Sequence, residues 1–115
     1  MHELGIAQAL VEQIEEVRAA HEGRAVVSAG LRIGSWRLVV KDSLEFYYEV
    51  LTRGTALEGS RLEIETVEAT SRCSRCGEVF TAEAPLLVCP GCGGPGGELL
   101  TGQELNLVSV ELSDD

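Results

Sequence analysis

The sequence predicts an α+β fold: a three-stranded sheet with two helices on one face, plus a small four-cysteine module inserted between its last two strands. Three observations carry this. Two segments place apolar residues at helical 3–4 spacing, and three others alternate with a period of two. All four cysteines and all three prolines fall in one glycine-rich stretch between the second and third alternating segments.

Residues Leu4 to Glu22 read as an amphipathic helix, with Leu4, Ala7, Val11, Ile14 and Arg18 on one stripe, and Gly23 as its stop. Ala25 to Ile33 alternates, directing Val27, Ala29, Leu31 and Ile33 to one face, and Gly34 ends that strand. Asp42 followed by Glu45 resembles a capping box opening a second helix, whose stripe is Leu44, Tyr47, Tyr48 and Leu51 and which Gly54 closes. Arg61 to Glu68 is a strand with Leu62 and Ile64 inward. Glu104 to Leu112 is the last strand. There Leu105 and Leu107 fall on one parity but Val110 and Leu112 on the other, which requires an irregularity near Val108–Ser109. The expected division is a body of residues 1–68 and 101–115 and a module of residues 69–100, with the Gly93-Gly94-Pro95-Gly96-Gly97 run as a flexible joint.

At 115 residues and 44% hydrophobic, the chain holds one ordinary core. No apolar run approaches the roughly 20 residues that span a bilayer, which argues against membrane insertion. The first twenty residues include Glu3, Glu12, Glu15 and Glu16 and do not read as a secretory signal, so a cytoplasmic location is expected. Reducing conditions there favour metal ligation over disulfides. The net charge of −10 repels phosphate backbones and argues against nucleic acid as a partner. The module is not basic either: Arg72 and Arg75 are set against Glu78, Glu83 and Glu98.

Cys73-Ser-Arg-Cys76-Gly77 and Cys89-Pro-Gly-Cys92-Gly93 are two knuckles. Two intervening residues let a tight turn aim both sulfurs at one ion, and the following glycine supplies the positive φ such turns need. Cys73, Cys76, Cys89 and Cys92 together complete a tetrahedral zinc-ribbon-like shell. Zn(II) is the expected structural metal, and a rubredoxin-like iron site is the rival, which visible colour would reveal. The spacer is expected to hold a short hairpin with Val79, Phe80, Leu86 and Leu87. A closed four-sulfur shell leaves no position for substrate, so the site builds structure.

Met1-His2-Glu3 begins the sequence directly against the first helix. A free Met1 amine, the His2 imidazole and the intervening amides offer several nitrogens in one chelate, which favours Ni(II) or Cu(II) over zinc. Glu3 would add a carboxylate or orient the imidazole. Taken alone, a terminal histidine is usually just solvated. His21, near the end of the first helix, is better explained by the helix dipole or by exposure.

With these features placed, the chain closely resembles the HypA/HybF family of hydrogenase-maturation nickel metallochaperones. The match includes Met1-His2-Glu3-Leu4-Gly5-Ile6-Ala7-Gln8-Ala9-Leu10, Leu44-Glu45-Phe46, Gly54-Thr55-Ala56-Leu57-Glu58-Gly59, Leu62-Glu63-Ile64-Glu65, both knuckles, and Glu104-Leu105…Val110-Glu111-Leu112. The resemblance implies Ni(II) delivery for [NiFe]-hydrogenase, in some organisms also for urease, with no catalytic residues of its own. It implies nickel ligation by His2 with the Met1 amine, a role in nickel handling for Glu3, and zinc ligation by the four cysteines. The implied partners are a nickel-handling GTPase and the hydrogenase large-subunit precursor, and a homodimer is compatible with the sequence. Gly34-Ser35-Trp36-Arg37-Leu38-Val39-Val40 is more apolar than expected, leaving Trp36 either a partner contact or a packing residue. A zinc-ribbon adaptor without nickel chemistry is the second class considered. An enzyme is the third, and it lacks a triad histidine, a phosphate loop and an open metal site.

Overall fold

The structure is a computed structural model that describes residues 3–82, 88–94 and 97–114. Helical spacing at the start of the chain becomes α1 (Glu3–Ala20), which buries Ala7, Leu10 and Ile14 and leaves Glu12, Glu15 and Glu16 in solvent. Arg18 closes its end. Its Nε and Nη2 donate to the carbonyls of Arg24 and Gly23, both at 2.7 Å, and Gly23 has a φ of 70°. These bonds satisfy carbonyls just past the helix end, where the macrodipole also favours a cation.

The second helix, α2 (Lys41–Thr52), buries Leu44, Tyr48 and Thr52. It corrects the capping expectation at Asp42. The helix starts at Lys41, its N-cap is Val40, and no side chain caps it from that position. The Val40 N–H is instead bound by Glu3 Oε2 at 3.0 Å, and the Val40 carbonyl accepts from Leu44 at 3.0 Å. The start is thus set from α1, and Asp42 lies inside the first turn, where a negative charge still suits the helix dipole.

Six strands follow the alternating and intervening segments: β1 (Val26–Gly34), β2 (Arg61–Val67), β3 (Thr70–Arg72), β4 (Val79–Thr81), β5 (Glu98–Thr101) and β6 (Leu105–Leu112). They form two three-stranded sheets, in the orders β2-β1-β6 and β4-β3-β5. The α+β expectation holds, and the four-cysteine segment contributes a sheet of its own.

The chain divides into two compact units. The first comprises Met1–Leu31, Val39–Glu65 and Asn106–Asp115. Its core joins Ile14, Val26, Ala29, Tyr48 and Leu57, with Val11, Leu62, Leu107, Val110 and Leu112 packed against it. The inward residues of β6 therefore do change parity between Leu107 and Val110, as the sequence requires. β1 makes a matching change between Val26 and Ala29, so Val26, not Val27, takes the core position. An apolar residue at each of positions 25 to 27 hides that slip from a period-two reading.

The second unit comprises Arg32–Leu38 and Thr66–Leu105. Its core is Ala69, Cys73, Phe80, Ala82 and Cys89, with Trp36 and Leu99 packed against it. β3 pairs antiparallel with β4 (Thr70 opposite Thr81, Arg72 opposite Val79) and on its other side with β5, with a register irregularity between Thr70 and Ser71. Phe80 is buried through its pairing with β3, while Val79 points to solvent. The Leu86–Leu87 half of the expected hairpin lies outside the described residues.

Trp36 follows β1 in a single 3₁₀ turn at Ser35–Arg37. Its Nε1 donates to the Ala82 carbonyl at 3.2 Å and its ring packs on the Phe80 cluster, so it is a packing residue of the second unit. Backbone contacts hold that turn in place: Gly34 N–H donates to Glu104 O at 2.8 Å and Trp36 N–H to Gly102 O at 2.9 Å. A Cβ on Gly34 would overlap the Gly102 carbonyl group, which is backbone and cannot swing aside. Gly34→Ala is therefore expected to destabilise the second unit by about 2 kcal/mol or more. Denaturant unfolding followed through Trp36, the only tryptophan, measures it. An unchanged midpoint would contradict the close approach.

Candidate metal centres

The two cysteine pairs are placed by the same local device. In the first knuckle Gly77 N–H donates to Cys73 O at 2.9 Å and Cys73 N–H to Glu78 O at 2.8 Å. In the second, Gly93 N–H donates to Cys89 O at 2.8 Å and Cys89 N–H to Gly94 O at 3.1 Å. Spacing and direction are identical in the two turns. Gly77 and Gly93 have φ values of 77° and 69°, the left-handed conformation that the knuckle reading expects of them.

β3 leads straight into Cys73, and β4 pairs back onto β3 to close the first turn. The first cysteine of each pair points into the core of the unit, with Cys73 2% and Cys89 1% exposed. Cys76 and Cys92 face outward. All four Sγ atoms lie within 4.8 Å of one another. Cys73–Cys92 and Cys76–Cys89 are each 3.6 Å apart, far beyond a disulfide bond near 2.05 Å. A tetrahedral shell with metal–sulfur bonds near 2.3 Å has sulfur–sulfur edges of about 3.8 Å, so these thiols fit one metal ion.

The electrostatics point the same way. The N–H groups of Cys76 and Arg75 draw the Cys73 thiol down to about 6, the latter over 3.4 Å to its sulfur. Cys89 goes the other way. The Cys92 N–H favours its thiolate, but burial and the neighbouring sulfurs of Cys76 and Cys92 outweigh that bond and push the thiol up to about 12. The cluster by itself tolerates one thiolate and resists the next. A dication is what lets all four ionise together.

Of the expected nickel residues, Met1 and His2 lie outside the described residues, and Glu3 is described. Glu3 sits in the first turn of α1, only 7% exposed, with Oε2 on the Val40 N–H. Its carboxylate thus has a structural bond that sequence reasoning did not anticipate, because the partner amide is far along the chain. His21 is exposed, with Nδ1 2.8 Å from the Val17 carbonyl at the end of α1.

Comparison with known proteins places these features in a family. The model described as "Hydrogenase/urease nickel incorporation, metallochaperone, hypA" matches residues 1–112. Proteins named hydrogenase maturation factor HypA are similar along nearly their whole length. That of Streptomyces avermitilis is 40% identical, covering 99% of this chain and 88% of its own. That of Geobacter metallireducens is 39% identical, covering 97% and 99%. That of Nitrosospira multiformis is 42% identical, covering 97% of each. The fold matches the solution structure of the Ni metallochaperone HypA from Helicobacter pylori, with a TM-score of 0.65 at 22% identity over 97% of each chain. It also matches a second HypA solution structure, with a TM-score of 0.72 at 21% identity over 100% of this chain and 98% of that one.

Removing the metal should therefore disturb the core that Trp36 reports on, since Cys73 and Cys89 belong to the same cluster. Stripping the protein with a strong chelator is expected to shift Trp36 emission to the red. The far-UV helical signal of α1 and α2 should persist, because no cysteine belongs to the core of the first unit. Unchanged emission from fully demetallated protein would contradict the shared core.

Proposed function

The chain belongs to the HypA family of hydrogenase/urease nickel-incorporation metallochaperones, and on that premise we propose that it binds Ni(II) and delivers it for maturation of [NiFe]-hydrogenase. Urease is the second nickel enzyme that the family description names. The observation that carries the reading is the family match over residues 1–112, which takes in both the Met1-His2-Glu3 opening and the four-cysteine knuckles.

In this reading the two metals have separate tasks. Cys73, Cys76, Cys89 and Cys92 hold Zn(II), which supplies folding free energy on the order of 10 kcal/mol and leaves no coordination position for chemistry. Nickel is cargo. His2 ligates it together with the Met1 amine and nearby backbone nitrogens, residues 1–68 and 101–115 forming the nickel-binding domain and residues 69–100 the zinc module. Glu3 contributes structurally: its bond to the Val40 N–H ties the first turn of α1 to the start of α2. A chelate at a chain terminus suits a carrier, because few chain contacts must break on release. The protein acts as a carrier and not as an enzyme. It works in the cytoplasm, passing nickel through a maturation GTPase to the hydrogenase large-subunit precursor. Among the described residues no helix is long and apolar enough to cross a membrane.

His2→Ala is expected to abolish stoichiometric nickel binding while leaving zinc content and fold intact, as is an N-terminal extension that consumes the free amine. Calorimetry showing unchanged nickel affinity in that variant would sink the assignment. Because amine and imidazole must be unprotonated to ligate, nickel affinity should fall as pH drops from about 8 to about 6. A flat profile across that window would argue against a nitrogen chelate at the terminus.

A further inference from the structure

The two knuckles meet through more than their sulfurs. Two glycines of the second knuckle leave room for charged side chains of the first. A Cβ on Gly91 would run into Oε2 of Glu78, and one on Gly94 would meet Arg75 Cδ at 2.8 Å and Nη1 at 3.3 Å. Each side chain thereby shares the open face of its glycine with a sulfur of the second knuckle. Glu78 Oε2 lies 3.7 Å from Cys89 Sγ. Cys92 Sγ lies 3.3 Å from the same vacant Cβ position on Gly94 that Arg75 flanks. Cys89 is the buried sulfur of its pair and Cys92 the exposed one.

Four thiolates around one dication leave a net charge of about −2. A guanidinium beside that charge stabilises the loaded state, and a carboxylate destabilises it. We infer that Arg75 and Glu78 are positioning residues that set, in opposite directions, how readily the four-cysteine site gives up its metal. The inference rests on the reading of this site as a zinc tetrathiolate. It adds that the site is held at an intermediate retention by two opposed charges flanking the second knuckle. Groups that touch ligands without ligating are known to shift metal affinity at such sites. Here both side chains are exposed, so solvent screening keeps each contribution small and dependent on ionic strength.

The test uses the full untagged chain with its zinc content measured first. Zinc loss is then followed with enough chromophoric chelator that the rate no longer depends on chelator concentration. Arg75→Gln should release zinc about threefold faster and Glu78→Gln about threefold slower, the scale of an exposed charge pair. Arg75→Lys should stay near the parent rate, and the differences should shrink in 1 M salt. The opposite signs are decisive, because loss of packing alone would speed release in both Gln variants. Acceleration in both, unchanged rates, or salt-independent differences would overturn the inference while leaving the zinc assignment standing. A chain isolated without stoichiometric zinc would overturn the zinc assignment, and the inference with it.

Discussion

Four sulfurs gathered within 4.8 Å are the constraint around which the second unit is organised. Thiolates so close repel one another, and against the pull of the Cys92 N–H, burial and that repulsion push the Cys89 thiol up to about 12. A dication turns the repulsion into cohesion. Among its described residues, the five that form the buried core include two cysteines and two alanines, with Phe80 as the one large side chain. β3 and β4 span three residues each, too short to be stable as an isolated hairpin. Trp36, contributed from the turn after β1, adds its ring and one hydrogen bond to this small core. The first unit has no such dependence, since its core is aliphatic and aromatic throughout.

The proposed separation of the metals also makes functional sense. A site that holds a fold together must retain its ion, whereas a carrier must surrender one. Sulfur ligands set in identical tight turns, half of them buried, suit retention. Nitrogen ligands at a chain terminus suit release. Glu3 belongs to the opening motif, and its buried carboxylate fastens the start of α2.

Much of this was legible from residue order. The helices were visible because their stripes repeat with the helical period. The knuckles were visible because two residues between cysteines have few other uses, and the parity slip in β6 was visible because a period of two cannot absorb it. What was hidden has a physical reason in each case. β3 is short and polar, and β5 is four residues with its two leucines adjacent, so neither carries detectable alternation. Asp42 looked like a cap, but the bond that sets the start of α2 comes from Glu3, distant in sequence. Trp36 read as an anomaly between a strand and a helix because its packing partner, Phe80, lies far along the chain. The approach of Glu78 and Arg75 to Gly91 and Gly94 could not be read either, since it exists only once the knuckles face each other.

The proposed function requires two different metals at two different ends of the sequence. Native mass spectrometry of the untagged chain, before and after adding nickel, tests it directly. One zinc per chain is expected as isolated, and one nickel gained per chain with the zinc retained. Nickel that enters only by displacing zinc, or a chain that gains none, would contradict it.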